Sequence, residues 1–240
     1  VQYTLDVYVY SGGSYSLVRS GWMGDIEIAG IPCTLGIADN LDGTWGSGDE
    51  FRFDRERNWE ARLSCGKEDS LSLPKWLWLE GHLYCMESDF RLMDGYTALA
   101  VSLTPVTENL MDITFEGQFV SRVMMTNESR EWVLLDWPQA AMRIQAGNYN
   151  VQRIDLLDSF SGYPRYEREI TAQHNVLKTG GPVKQTVTAS REGVNLNLNY
   201  ALKGADQTDY SPDMLSREAR ARFEIYLGER CVRTGQFEYG

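Results

Sequence analysis

The chain has 240 residues, of which 42% are hydrophobic, so it can bury the core of one large β domain or of two ordinary domains. Its 34 Asp and Glu against 23 Lys and Arg give a net charge of −11, which repels a phosphate backbone and excludes nucleic acid as a partner. No apolar run reaches the roughly 18 residues that a membrane-spanning helix needs, so we predict no membrane span.

Apolar and polar residues alternate in segment after segment, which is the pattern of β-strands with one buried face. The alternating apolar residues are Tyr3, Leu5, Val7 and Val9, then Ile26 and Ile28, Phe51 and Phe53, Val194, Leu196 and Leu198, and finally Phe223, Ile225 and Leu227. Because two-layer packing is how such sheets bury their apolar faces, we predict an all-β protein made of antiparallel β-sandwiches.

The first unusual segment is the acidic, glycine-rich loop at residues 39–54. Ca²⁺ takes about six to eight oxygen ligands in tolerant geometry, and a turning, carboxylate-rich backbone suits it. With Gly43 as the turn glycine, Ala38 replaces the first carboxylate of an EF-hand, so that motif is excluded. Two alternatives remain: a Ca²⁺ clamp, or an ordinary turn with solvated acids. The candidate ligands are Asp39, Asn40, Asp42, Asp49 and Asp54.

Tryptophans that stand outside the alternating pattern are candidates for a platform on which sugar rings stack. They are Trp45 in the acidic loop, Trp59 just after it, and Trp132 and Trp137 further along the chain. Loops on rigid β scaffolds commonly carry recognition. The alternative is that these side chains fill the core, as aromatic residues usually do in β-sandwiches.

Four further segments predict particular elements. Residues 73–79 are apolar on both faces, which indicates a central strand covered on both sides or an edge strand that offers its tryptophans to a partner. Asp94-Gly95 predicts a hairpin between residues 82–93 and 96–103. Residues 213–221 have the composition of one short helix. The turn at Gly228 to Arg230 predicts a hairpin between residues 222–227 and 231–239.

A polar break at residues 105–109 lies near the middle of the chain. It predicts an N-terminal β domain, 1–108, which carries the acidic loop, and a C-terminal β domain, 109–240.

The four cysteines are Cys33, Cys65, Cys85 and Cys231, and none of them forms the C-x-x-C pair of a zinc ribbon or a thioredoxin-type site. A disulfide between Cys65 and Cys85 and four buried thiols are the two alternatives. These cysteines, the acidic composition and a first residue Val1 instead of Met favour a location outside the cytoplasm: extracellular, periplasmic or at the cell surface.

Catalytic motifs are absent from the sequence. It contains no Gly-x-Ser-x-Gly elbow, no His-Glu-x-x-His, no phosphate loop and no dinucleotide fingerprint. His82 and His174 read as strand or loop residues, so no catalytic residue is assigned, and no cofactor besides Ca²⁺ is predicted. We predict a non-catalytic extracellular or cell-envelope protein for binding or structural display, with a glycan or another protein as its partner. The alternatives are a secreted hydrolase that cleaves polysaccharide with two carboxylates, and a purely architectural module.

Overall fold

The structure is a computed structural model that describes residues 4–9, 16–28, 30–38, 50–54, 74–93, 96–157, 160–164, 166–212 and 221–237. These residues form twenty β-strands, which confirms the predicted all-β class. The chain divides into two compact units, residues 1–74 with 87–102 and residues 75–86 with 103–240. The expected division into 1–108 and 109–240 stays a prediction.

The first unit contains a four-stranded antiparallel sheet in which consecutive strands are neighbours. Ile28 of the second strand pairs with Ile31 of the third, so a two-residue turn joins them. Gly30 in this turn has a φ of +82°, a conformation that glycine adopts without the steric cost of a side chain. The strands, in order, are β1 Thr4–Val9, β2 Ser16–Ile28, β3 Ile31–Ala38 and β4 Glu50–Asp54.

The remaining sixteen strands form three sheets with eleven, three and two strands. They are β5 Trp76–Leu79, β6 His82–Met93, β7 Tyr96–Pro105, β8 Leu110–Glu116, β9 Val120–Asn127, β10 Trp132–Asp136, β11 Ala141–Gln145, β12 Gly147–Leu156, β13 Phe160–Gly162, β14 Tyr166–Ile170, β15 Val176–Lys178, β16 Lys184–Glu192, β17 Asn195–Lys203, β18 Asp209–Pro212, β19 Arg222–Leu227 and β20 Arg230–Gln236. The large sheet has the order β16-β17-β18-β13-β12-β9-β10-β5-β6-β7, with β14 also paired to β12. The smaller sheets are β11-β8-β15 and β19-β20.

One hydrophobic core in the second unit is shared by the eleven-stranded and three-stranded sheets. The three-stranded sheet contributes Ile113, Phe115, Met142, Ile144 and Leu177. The large sheet contributes buried residues from strands along its length, among them Trp78, Val123, Val133, Val151, Ile154 and Leu202. Because each such side chain stabilises the fold by about 1.5–3 kcal/mol when buried, this shared core is what holds the two layers together.

Strand β5 is a central strand covered on both faces, as its continuous apolar run predicts. Leu77, Trp78 and Leu79 are all fully buried. β5 pairs with β6 in antiparallel and with β10 in parallel orientation. β8 and β15 are a second parallel pair, so the expectation of purely antiparallel sheets is wrong at these two places. Parallel neighbours need a long crossover between them, and the chain between β5 and β10 supplies one with β6 to β9.

The two predicted hairpins are confirmed. β6 ends at Met93 and its sheet neighbour β7 begins at Tyr96, so Asp94-Gly95 is the connection. β19 and β20 pair around Gly228 and Glu229, and Arg230 already belongs to β20. Residues 213–220, where a helix is predicted, lie outside the described residues.

Candidate functional site

Most of the predicted calcium ligands lie outside the described residues. Asp39, Asn40, Asp42 and Asp49 are among those not described, and Asp54 is the last residue of β4, where its backbone pairs with Thr34. In the part of the chain that the structure describes, no group of three or more His, Cys, Asp or Glu residues could hold a metal ion. Calcium binding at the acidic loop therefore stays a prediction.

Of the four candidate tryptophans, Trp45 and Trp59 lie outside the described residues. Trp132 is half-buried at the start of β10, and Trp137 follows the end of the same strand with 37% of its surface exposed. Five residues of extended chain separate these two by about 16 Å, so the structure does not bring them side by side.

Only one cysteine of the predicted disulfide belongs to the described residues. Cys85 carries a free thiol, and Cys65 lies outside the described residues, so their pairing stays a prediction.

Two β-bulges in the large sheet turn charged side chains away from the core. In the pairing of β12 with β9, the register skips Gln152 between Val151 and Arg153. It also skips Ser121, because Asp155 pairs with Arg122 while the next residue pairs with Val120. A bulge inserts one unpaired residue and reverses which face the following residues occupy. Val151 and Ile154 can therefore both be buried, while Arg153 and Asp155 occupy the opposite face.

The bulges align a row of polar residues across four neighbouring strands, which we call the charged row. Asp136 on β10 pairs with Arg122 on β9, Arg122 pairs with Asp155 on β12, and Asp155 pairs with Ser161 on β13. Residues paired in this way share one face of a sheet. With Arg153, which binds Asp155, the row comprises Asp136, Arg122, Asp155, Arg153 and Ser161.

Arg122 and Asp136 form the first ion pair of the row. Nη2 of Arg122 donates to Oδ1 of Asp136 at 3.3 Å, and the Asp136 side chain is fully buried. Nε of Arg122 is shielded from solvent and has no hydrogen-bond acceptor among the described residues. A buried donor without a partner costs about 1–3 kcal/mol, so an oxygen atom of a bound ligand that reached Nε would recover part of this cost.

Arg153, Asp155 and Ser161 form the second cluster of the row. Nε of Arg153 donates to Oδ1 of Asp155 at 2.7 Å, and the Ser161 hydroxyl donates to the same oxygen at 3.0 Å. A guanidinium nitrogen of Arg153 also donates to Oγ of Ser161 at 3.3 Å. Each of the three side chains therefore binds the other two. This closed network holds the Arg153 guanidinium in one orientation.

Exposed aromatic side chains stand beside the charged row. The guanidinium carbon of Arg153 lies 5.5 Å from the centre of the Tyr163 ring, a cation–π contact, and Tyr163 is 46% exposed. The backbone N–H of Trp137 donates to the carbonyl of Ser121 at 2.7 Å, which anchors Trp137 at the bulge of β9. Trp137 has a φ of +49°, an uncommon conformation for a residue with a side chain, which the surrounding structure must hold in place.

The electrostatics of the row are balanced. Its charges alternate in sign from Asp136 through Arg122 and Asp155 to Arg153, so the row carries no net charge. The four charged side chains of the row are only 0–13% exposed, so the part that a ligand can reach is its rim, where Arg153 meets the half-exposed ring of Tyr163. Trp137 and Tyr163 follow β10 and β13, which are about 14 Å apart across three strand spacings.

A second polar cluster, centred on Asp206, is structural. Oδ2 of Asp206 accepts hydrogen bonds from Thr179, Thr208 and Tyr166 at 2.9, 2.8 and 3.2 Å. Burial is the main cause that raises the pKa of Tyr166 to about 12, and it also raises the pKa of Tyr210, whose hydroxyl accepts from the N–H of Gly180. The Asp206 carboxylate and the hydroxyls around it are bonded to one another, so this cluster ties the β17–β18 turn to the chain before β16.

Of the residues at the charged row, the sequence prediction included only Trp137. One signal for the others was present, because the apolar alternation shifts phase between Val151 and Ile154 and between Val120 and Val123. Such a shift indicates a bulge and marks the polar residues beside it.

Comparisons with protein-family models, with curated proteins and with solved structures found no match. In the described part of the chain, none of the secondary structure is a helix of the length and apolarity that crossing a membrane requires.

Proposed function

We propose that this chain is a non-catalytic binding protein and that its ligand is a neutral glycan, held by the exposed rings of Trp137 and Tyr163 at the rim of the charged row. The observation that carries the proposal is the position of Tyr163, a half-exposed ring that the Arg153 guanidinium of the row contacts. A sugar ring presents hydroxyls at its edge and C–H groups on its face. Polar groups of the row can bind the hydroxyls, and the aromatic rings can pack against the C–H groups on the face of the sugar.

The pairing of the carboxylates supports binding over hydrolysis. Oδ1 of Asp155 already accepts from Arg153 and Ser161, and Asp136 is paired with Arg122. A general acid must reach the glycosidic oxygen, and the carboxylate oxygens named here are instead bound to partners within the sheet.

A polysaccharide hydrolase is the alternative function, and one observation favours it. Asp136 and Asp155 lie two strand spacings apart, about 10 Å, which is close to the carboxylate separation of inverting glycosidases. Release of reducing sugar from a bound oligosaccharide, abolished by Asp155→Asn, would establish the hydrolase in place of the binding protein.

The location and the calcium ion belong to the same proposal. A glycan-binding protein with an acidic surface would meet its ligand outside the cytoplasm, in the extracellular space, the periplasm or at the cell surface. Ca²⁺ bound in the acidic loop would stabilise the folded chain by binding it in preference to the unfolded one.

The proposal is tested by titrating a panel of neutral oligosaccharides into the protein while tryptophan fluorescence and heat are recorded. We expect at least one oligosaccharide to bind, and Tyr163→Ala to weaken its binding about tenfold, because truncation of a central aromatic contact commonly costs more than 1 kcal/mol. Tyr226→Ala is the matched control, since Tyr226 is a similarly exposed tyrosine on β19, away from the row. No response across the panel, or equal losses in the two variants, would contradict glycan binding at this surface.

A further inference from the structure

Phe119, the residue before β9, combines an exposed ring with an uncommon backbone conformation. Its surface is 57% exposed and its φ is +63°. Trp137, the residue after β10, has the same two properties, with a φ of +49°. A bulky residue rarely adopts a positive φ, and such residues persist where the surrounding structure fixes them, often at ligand-binding sites. The two aromatic residues therefore mark this end of the large sheet as a candidate binding surface.

The chain around Phe119 holds its ring in place. The carbonyl of Phe119 accepts a hydrogen bond from the N–H of Leu157 at 2.7 Å, and Gln118 and Gly181 exchange two backbone hydrogen bonds of 2.8 and 3.3 Å. A Cβ atom at Gly181 would lie 2.9 Å from Cδ2 of Phe119, so the ring packs directly over this glycine. One side of the ring is thus fixed against the backbone while the other is open to solvent. A ring held in this way loses little conformational freedom when a ligand binds it.

Phe119 and Trp137 lie close to each other on neighbouring strands. The N–H of Trp137 donates to the carbonyl of Ser121, which is two residues after Phe119. Diagonal neighbours in an antiparallel pair are about 7–8 Å apart, within reach of aromatic side chains. Leu157, opposite Phe119 at the end of β12, is 37% exposed. Phe119, Trp137 and Leu157 therefore form one exposed apolar cluster across three adjacent strands.

The polar residues around this cluster are uncharged. Residues 117–121 and 137–142 contain no Asp, Glu, Lys or Arg. The side chains of Gln118 and Gln139 are exposed in these segments, and an amide group both donates and accepts hydrogen bonds. Aromatic rings beside neutral amides suit a ligand that has hydroxyl groups and apolar C–H faces but no charge. A neutral sugar has this chemistry.

We propose that Phe119 is a further glycan-binding residue, whose ring packs against the sugar chain beside Trp137. This inference rests on the proposed glycan binding by Trp137 and Tyr163, and it adds a third ring to that site. Glycine adopts a φ of +63° without strain, and an exposed ring gains little from burial, so phenylalanine at this position costs stability. Binding of a ligand by the ring accounts for that cost.

Phe119→Gly tests the inference, because it removes the ring and the backbone strain together. With an oligosaccharide that binds the parent, calorimetric titration should give a Kd about tenfold higher for Phe119→Gly, while its Tm stays at or above that of the parent. Phe119→Trp, which keeps an aromatic ring, should restore binding. Tyr226→Ala is the matched control, since Tyr226 is 55% exposed on β19 and should be dispensable for binding.

The outcomes separate this inference from the proposed function. If Tyr163→Ala weakens binding and Phe119→Gly binds as the parent does, the glycan site stands and Phe119 has no part in it. If no oligosaccharide binds the parent, both proposals fail. A Phe119→Gly protein with a lower Tm and unchanged affinity would give Phe119 a structural role only and overturn the inference. Weaker binding that Phe119→Trp does not restore would also overturn it.

Discussion

Among single residues, Asp206 shows how one carboxylate can organise a turn. Its Oδ2 atom accepts hydrogen bonds from three hydroxyl groups, and two of the residues that donate them, Thr179 and Thr208, are buried. Removal of the carboxylate would leave these hydroxyls without their acceptor. Gly180, next to Thr179, has a φ of +72° and a Cβ there would lie 2.2 Å from a methyl group of Val120, so the chain has no room to readjust on that side.

We predict that Asp206→Ala lowers the free energy of unfolding by about 2–4 kcal/mol, because it orphans buried hydroxyls that belong to one network. Asp209→Ala is the control, since Asp209 is exposed and forms a surface ion pair with Lys203, which is worth about 0–1 kcal/mol. Urea denaturation of the two variants measures the difference. Equal losses would show that the Asp206 network does not stabilise the fold.

The carboxylate of Glu131 makes stability depend on pH. Its pKa is lowered from 4.5 by hydrogen bonds from Asn127 and from Nε1 of Trp76, each 2.9 Å long. A carboxylate whose pKa is lower in the folded chain stabilises the fold fully above its unfolded pKa. This stabilisation is lost as the pH falls through the lower, folded value.

We therefore expect Glu131→Gln to reduce the Tm at neutral pH, and the difference from the parent to shrink as the pH is lowered below about 4. Thermal unfolding of both proteins across this pH range is the measurement. Glu108→Gln, at an exposed position between β7 and β8, provides the comparison. A difference that stays constant with pH would mean that the charge of Glu131 has no part in stability.

At the scale of elements, the two bulges determine which side chains of β9 and β12 face the core and which lie on the opposite face. Without Gln152, the residues that follow it in β12 would exchange faces, and Arg153 and Asp155 would occupy the core positions now held by Ile154 and Leu156. Uncompensated charges in a core cost several kcal/mol each. The extra residue Gln152 thus keeps Arg153 and Asp155 on the face of the charged row and out of the core.

Deletion of Gln152 should consequently abolish cooperative thermal unfolding, whereas Gln152→Ala, which keeps the bulge, should unfold cooperatively near the parent Tm. Circular dichroism during heating distinguishes the two results. A cooperative, native-like transition in the deletion variant would show that the strand shifts its register elsewhere to keep its apolar face buried.

At the scale of the whole molecule, the distribution of charge matters more than its sum. Outside the hairpins β16–β17 and β19–β20 the chain carries 14 more acids than bases, and these two hairpins, with three more bases than acids, reduce the surplus to 11. In the large sheet, the largely buried charged row contains acids and bases in equal number, so it adds nothing to the net charge.

Parts of this organisation could be predicted from local sequence. The alternation of Phe223, Ile225 and Leu227 and the Asp94-Gly95 turn are local patterns, and each predicted a strand or hairpin that the structure contains. The apolar run at residues 73–79 left two alternatives, a covered central strand or an edge strand, and the burial of Leu77 to Leu79 shows that the first is correct. The acidic loop and the tryptophans Trp45 and Trp59 remain predictions, because they lie outside the described residues.

The sequence by itself determined that this protein is made of β-strands and where most of the turns come, because alternation and turn chemistry depend on neighbours only a few residues apart. Only the tertiary structure decided that β5 pairs in parallel with β10, and that Asp136, Arg122, Asp155 and Ser161 line up across four strands. Such partners are chosen by the burial of apolar faces and by the position of bulges, which involve residues far apart in the chain.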